Sequence, residues 1–343
     1  MSTIGWYVHH HGSGHLVRFL AIRPHLDADV VVLSSRPAPP ELPARTRWVA
    51  LERDDDVRTG SDGVARDPHD TDRSRPTAGG ALHWAPLHHA GHTGRLAAIA
   101  DVLAQEPLDA FVVDVSVEVA VLVRLLGVPL VLMTQPGVRD DAPHALAHRL
   151  ADAVIATWPA GRDDPTGLDP VEVGGISRFD GRPRTGPPEP GRVLLLGGGS
   201  AGERAGEAGE AARDWRRLGG DGPWVEDPWP EICAAEVVVS AAGQNAVADL
   251  AAAGARAVVV PEDRPFDEQR ATAHELREAG LAVVVDTWPD DADWPDLLER
   301  ARHLHPDWSA WQVAGAAARA AAVVARVVDG ERGGRRADVG TGA

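Results

Sequence analysis

Glu236-Val-Val-Val-Ser-Ala-Ala-Gly-Gln-Asn-Ala-Val-Ala-Asp-Leu250 holds one complete structural step. The run Glu236–Ser240 is continuously apolar after its first residue, as in a strand buried on both faces of a parallel sheet. Gly243 permits a tight turn, and Gln244 to Ala253 follow with helical patterning. The step recurs downstream, with a strand Arg256–Val260, a helix Asp267–Ala279 and a strand Leu281–Asp286. Upstream, Arg192–Leu196 is a strand entering Gly197-Gly198-Gly199-Ser200.

The first half repeats the pattern. Strands are expected at Ile4–His10, Asp29–Ser34, Arg47–Leu51, Ala110–Asp114, Leu130–Thr134 and Ala153–Thr157. Helices are expected at Gly14–His25, Gly94–Gln105, Val117–Leu126 and Pro143–Ala151. Alternation of this kind gives an α/β protein of two Rossmann-like, doubly wound parallel-sheet domains facing a cleft. The boundaries read 1–158 for the first domain, 159–191 for a Pro- and Gly-rich linker and 192–307 for the second domain. A last Ala-rich helix over 308–328 and a disordered tail over 329–343 complete the chain. The polar stretch Arg53–Gly80 has little to bury and reads as a long mobile loop.

Length agrees, since 343 residues exceed one domain of ordinary size. Lys and Arg number 34 against 51 Asp and Glu, a net charge of −17, and every one of the 34 is Arg. Schiff-base and P-loop lysine chemistry is therefore excluded. The acidity argues against nucleic acid and against association with an anionic membrane. A single cysteine, Cys233, excludes a disulfide framework and a multi-thiolate metal site. No secretory pattern and no spanning run is read, so a cytoplasmic location is expected.

Two groups of residues carry candidate chemistry. His9-His10-His11-Gly12-Ser13-Gly14-His15 closes the first strand and opens a helix, whose free N–H groups favour an anion. His15 then faces the crevice beyond the strand ends, where a neutral imidazole suits removal of a hydroxyl proton. Alternation along a strand lets at most two of His9, His10 and His11 share a metal, and no metal site is assigned. As a dinucleotide fingerprint the segment lacks its third glycine, because Val17 stands there. Ser34-Ser35-Arg36 keeps an NADP reading open. In the second half, Gly198, Gly199 and Ser200 allow close approach of a phosphate or sugar, and Gly243, Gln244 and Asn245 open a second helix. Asp249 lies one turn beyond Asn245 and suits the two hydroxyls of a ribose. Glu268 and Gln269 begin the next helix at the same edge. Each also has a purely structural reading as a cap or a solvated polar group.

From about Val193 to Val285 these motifs resemble the MurG-like GT-B glycosyltransferases, the family that includes the N-acetylglucosaminyltransferase completing lipid II. Gly12–His15 is similar to that family's glycine-rich acceptor loop, and Val173-Gly174-Gly175-Ile176 to its interdomain segment. The resemblance implies inverting transfer from a nucleotide-diphosphate sugar, commonly UDP-linked, to a hydroxyl acceptor, with neither a cofactor nor an essential metal. It implies that Asp249 binds ribose, Gly243 to Asn245 the diphosphate, and Glu268 and Gln269 the sugar. It further implies that Val225 lies by the base, that Arg178 reaches the diphosphate, and that His15 or Asp114 assists the acceptor. Gly12 and Gly14 complete the set, and the last helix would cross back to the first domain. The chain departs from the family with Asp249 for its glutamate, Thr272 for its asparagine and no clear strand before Val225. Its acidity favours a soluble small-molecule or glycan acceptor over a bilayer-bound one. A nucleotide-sugar 2-epimerase and a non-catalytic nucleotide-sugar-binding protein are the alternative readings.

Overall fold

The computed structural model describes the chain except for residues 61, 162–168, 198–213, 220–222, 224 and 341–343, and for the side chains of 331–340. In the first half, strands β1 (Thr3–Tyr7), β2 (Asp29–Ser34) and β3 (Thr46–Ala50) precede a small antiparallel pair, β4 (Arg58–Thr59) and β5 (Ala65–Arg66). They are followed by β6 (Ala110–Asp114), β7 (Leu130–Thr134), β8 (Ala153–Ala156) and β9 (Val171–Glu172). The large sheet has the order β3-β2-β1-β6-β7-β8-β9 and is parallel throughout, with Trp6 of β1 set between Val32 and Val112. Its helices are α1 (Gly14–Ile22), α2 (Thr71–Ser74), α3 (Ala90–Gln105), α4 (Val117–Leu125) and α5 (Ala142–Leu150).

The second sheet, β11-β10-β12-β13-β14, is also parallel. It consists of β10 (Val193–Leu196), β11 (Arg216–Leu218), β12 (Val237–Ser240), β13 (Ala257–Val259) and β14 (Val283–Val284). Helices α6 (Trp229–Ala234), α7 (Gln244–Ala253), α8 (Glu268–Glu278) and α9 (Trp294–Arg302) cover it, and α10 (Ala316–Gly340) ends the described chain. Each sheet is buried on both faces. Trp6, Phe19 and Ile22 pack on one side of the first, and Tyr7, Phe111, Ile99 and Val123 on the other. Val237, Val238 and Val239 of β12 are wholly buried, each stabilising the fold by about 1.5–3 kcal/mol. The two-domain α/β architecture read from the sequence is therefore the observed one.

Several expectations are corrected. The first strand ends at Tyr7, because His9–His11 leave the sheet for a turn in which Gly12 has φ +65°. The stretch 53–80 is folded rather than a structureless loop. Asp54 is buried and paired with Arg95, and Ser74 Oγ donates to the Asp67 carbonyl, so ion pairs and hydrogen bonds do the work that apolar burial does elsewhere. A strand, β11, does precede Val225; it lies at a sheet edge and buries only Leu218, which leaves a weak sequence signal. Within 159–191, β9 extends the first sheet, whereas Phe179 packs in the core of the second. The last helix is interrupted by positive φ at Gln312 and Gly315. Trp308 and Trp311 stay with the second core before α10 crosses back, placing Ala316, Ala320, Val323 and Val324 beside Trp6. That helix continues to Gly340, past Val328.

Candidate active site

The carboxyl ends of β1 and β6 bring the first-half residues together. His15, on the first turn of α1, places Nδ1 3.1 Å from Asp114 Oδ2, and Arg18, one turn further along, places Nε 3.3 Å from the same oxygen. Asp114 is completely buried. Burial alone would raise its pKa, but Arg18 and His15 outweigh that and hold it below the ordinary value. Arg18 Nη2 also lies 3.4 Å from His15 Nδ1. A guanidinium only donates, so Arg18 would require an acceptor Nδ1, whereas the nearer Asp114 carboxylate favours a protonated Nδ1; only the second tautomer leaves Nε2 as an acceptor. His9 is held well below its usual pKa by burial first and then by the neighbouring His15. Val115, immediately after Asp114, has φ +67°, a strained conformation for a β-branched residue.

Across the cleft, α7 begins at the end of β12. Gly243 caps it with no side-chain bond among the described residues, which leaves first-turn N–H groups open. Asn245 Nδ2 donates to the Gly14 carbonyl at 2.9 Å. Arg18 Nη1 donates to Gln244 Oε1 at 3.1 Å, and Gln244 Nε2 donates to Thr157 Oγ1 at 2.8 Å. The two helix N-termini thus meet directly.

Asp249 is 7% exposed; Ser177 Oγ donates to its Oδ1 at 2.6 Å, and Arg178 Nε lies 3.8 Å from its Oδ2. Burial pushes the Asp249 pKa up to about 6, against the opposing effects of Ser177 and Arg178. The side-chain Oε1 of Gln269 accepts the N–H groups of Ala242 and Glu262, at 3.0 and 2.9 Å, and so ties together the ends of β12 and β13. Glu268 Oε2 lies 3.9 Å from Arg139 Nη2 of the first half.

Three cavities converge here. One of about 340 Å³ is lined by Gly12, Gly14, Arg178, Val225, Gly243, Asn245, Asp249 and Gln269. A second, of about 310 Å³, holds His15, Gln244 and Glu268 with Gly14 and Asn245. The third, about 660 Å³, lies in the first half between Tyr7, His9, Leu82, Trp84, Leu96 and Val119, and Phe266 of the second half closes one side. Phe266 and Asp267 both have positive φ, 63° and 53°, and Asp267 does not cap α8 with its side chain. This kinked turn packs the Phe266 ring against His83 and His144, with the Arg139 guanidinium 5.1 Å from its centre.

The structure therefore gathers His15, Asp114, Gly12, Gly14, Arg178, Val225, Gly243, Gln244, Asn245, Asp249, Glu268 and Gln269 around one cleft. Gly198, Gly199 and Ser200 lie outside the described residues. Asp114 stands behind His15, out of contact with solvent. Ser34 is buried and its hydroxyl donates to the Val8 carbonyl, while Arg36 Nη1 donates to the Gly12 carbonyl at 2.5 Å. Both ends of that segment are thus committed to the loop rather than presented to a 2′-phosphate. Sequence reading missed Arg18, Ser177, Glu262, Arg139 and Phe266. Of these only Arg18, three residues from His15 on one helix face, left a spacing signal.

Comparison with known proteins agrees with this fold. Residues 228–292 match the glycosyltransferase family 28 C-terminal domain. A UDP-N-acetylglucosamine--N-acetylmuramyl-(pentapeptide) pyrophosphoryl-undecaprenol N-acetylglucosamine transferase of Rubrobacter xylanophilus is 31% identical over 216 residues, 54% of this chain and 63% of that protein. The same-named protein of Methylococcus capsulatus is 28% identical over 195 residues, 47% of this chain and 54% of that protein. The matches thus span less than two thirds of the length of these curated relatives. Among solved structures, Acinetobacter baumannii MurG superposes with a TM-score of 0.60 at 17% identity, over 95% of this chain and 100% of that one. A UDP-glucosyltransferase from Polygonum tinctorium gives 0.64 at 14% identity, over 96% and 98%. The chain is a GT-B-fold protein that resembles the MurG-like glycosyltransferases and carries the family 28 C-terminal signature in its second half.

Proposed function

We propose that this protein is a glycosyltransferase that moves a sugar from a UDP-linked donor to a hydroxyl acceptor, with inversion and without a catalytic metal. The observation that carries the reading is the meeting, at one cleft, of the His15–Asp114 pair with the open N-terminus of α7 and the buried Asp249. Residues 192–307 hold the donor and residues 1–158 the acceptor, with 159–191 and 308–328 joining them. The ribose hydroxyls bond to Asp249, and the base lies by Val225. The diphosphate lies on the N–H groups of α7, where the helix dipole favours negative charge, and Arg178 adds the cation that a Lys-free chain must supply from Arg. These groups meet the charge that develops on the leaving diphosphate. Glu268 contacts the sugar, and Gln269 fixes the strand ends against which it lies.

The acceptor occupies the cavity of about 660 Å³, whose size and apolar walls suit a compact soluble molecule. His15 Nε2 takes the acceptor proton as the new glycosidic bond forms, and Asp114 steadies the resulting imidazolium. The names of the two curated relatives give UDP-N-acetylglucosamine as their donor, which supports a UDP-sugar here.

The reading is tested by titration with UDP, followed by assay of UDP release from UDP-sugars against a panel of hydroxyl acceptors. UDP binding and acceptor-dependent release are expected, with His15→Ala losing about 10²–10⁴-fold in turnover and keeping its UDP affinity. No UDP binding, or equal turnover in the variant, refutes it. Conversion of a UDP-sugar without an acceptor would instead mark an epimerase.

A further inference from the structure

Beside the cavity of about 660 Å³, which His11 and Asp54 help to line, lies a second group of histidines and carboxylates. His10 is 5% exposed, yet neither of its ring nitrogens makes a hydrogen bond among the described residues. Its Nε2 lies 3.3 Å from Asp55 Oδ2 and 3.7 Å from Asp54 Oδ1, and His11 Nε2 lies 3.3 Å from the same Asp55 oxygen. Asp54 Oδ1 is likewise buried without a hydrogen bond, because Arg95 engages the other oxygen of that carboxylate.

We propose that His10, His11 and Asp55 bind a divalent cation of the zinc class. Metal–ligand bonds of about 2.0–2.2 Å in a tetrahedron set the ligand atoms roughly 3.3–3.6 Å apart, and each of the two imidazole Nε2 atoms stands 3.3 Å from Asp55 Oδ2. Two imidazoles with a carboxylate suit a borderline-soft ion such as Zn²⁺ rather than Mg²⁺ or Ca²⁺. Arg53 grips Asp55 with both arms, Nε donating to Oδ1 at 3.0 Å and Nη2 to Oδ2 at 2.5 Å, so the ligating oxygen carries an outer-shell hydrogen bond that fixes its orientation and that the ion must share. His11, with its side chain 66% exposed, leaves an entry path.

The other cluster of this type, His83, Asp141 and His144, is already satisfied internally. Asp141 Oδ1 accepts the His144 backbone N–H and pairs with His144 Nδ1, and His144 Nε2 lies 2.9 Å from Arg139 Nη1. The proposed ion ties the turn after β1 to the segment after β3. The assignment rests on different residues from the His15–Asp114 pair, although His11 also lines the cavity of about 660 Å³.

In the test, the full chain is freed of metal with a chelator and titrated with zinc chloride and, separately, cobalt chloride. Binding is followed by calorimetry and by the visible cobalt spectrum. One equivalent of each, with tetrahedral cobalt absorption and a raised melting temperature, is expected. His11→Ala, at an exposed position and checked for folding by circular dichroism, weakens binding at least about tenfold, as does Asp55→Asn; His83→Ala leaves it unchanged. Absence of one-equivalent binding overturns the assignment. Binding that survives His11→Ala undiminished also overturns it.

Discussion

Replacing Asp249 with Asn keeps the shape of the side chain and removes its charge from a site with little solvent. The Asp249 pKa is pushed from 3.8 up to about 6 in the folded protein, so the native state keeps its proton to a higher pH than the unfolded chain. Unfolding therefore releases a proton between about pH 4 and pH 6. Stability contributed by this group falls as pH rises through that window, and the full penalty persists above it. Two units at 1.36 kcal/mol each amount to about 3 kcal/mol in favour of Asp249→Asn near pH 8. Ser177 can still donate to the Asn oxygen, whereas Arg178 loses a partner at 3.8 Å, so a net gain of about 2 kcal/mol is the expectation.

His144 acts in the opposite sense. Burial first, and then Arg139, lower its pKa to about 4, so its contribution is lost as pH falls from about 6.5 towards 4. The two effects overlap and mask each other in the parent protein. The diagnostic quantity is therefore the difference between Asp249→Asn and the parent, measured by urea unfolding at pH 4.5 and pH 8. A stabilisation at pH 8 that shrinks at pH 4.5, together with loss of UDP binding, is expected. A variant less stable than the parent at pH 8, or an equal difference at both values, would refute the reasoning.

Arg178→Ala should weaken UDP binding about 10–100-fold by calorimetry, the effect of losing about 1.5–3 kcal/mol of charged hydrogen bonding, with the fold intact. Phe266→Ala should raise the acceptor KM about three- to tenfold and leave the donor KM unchanged, since aromatic contacts contribute about 0.5–1.5 kcal/mol. Equal changes in both constants would count against a role for Phe266 in the acceptor cavity. Gly5→Ala should cost about 1–3 kcal/mol in a thermal melt, because a Cβ there overlaps the buried Phe111 ring.

The sheets were legible because their strands are short, continuous apolar runs: β2, β6 and β7 fall on the residues that patterning alone assigns. Helix α7 was equally clear, with glycine at both ends and small apolar residues between. Helix α9 went unread although Trp294, Leu297, Leu298 and Ala301 keep helical spacing, since prolines and aspartates crowd its start. The segment 53–80 was misread for a physical reason: its order comes from pairs such as Asp54 with Arg95, which leave no hydrophobic period. At the site, His15 and Asp249 could be placed by their position after a strand and a glycine turn. Asp114 came only from family resemblance, and its contact with His15 depends on β1 and β6 being neighbours in the sheet. Phe266 reaches another domain, so no local pattern reports it.

That last residue bears on how such a protein diversifies. The wall that Pro265 and Phe266 supply to the first-half cavity is encoded more than a hundred residues beyond the rest of its lining. The halves are accordingly not interchangeable cassettes. A chimaera that joined residues 1–158 to a foreign second half would inherit the cavity floor with one side rebuilt by whatever residue the new turn carried. Under the proposed function, choice of acceptor is then inherited from both halves, and drift in the turn before α8 alters it without touching the first.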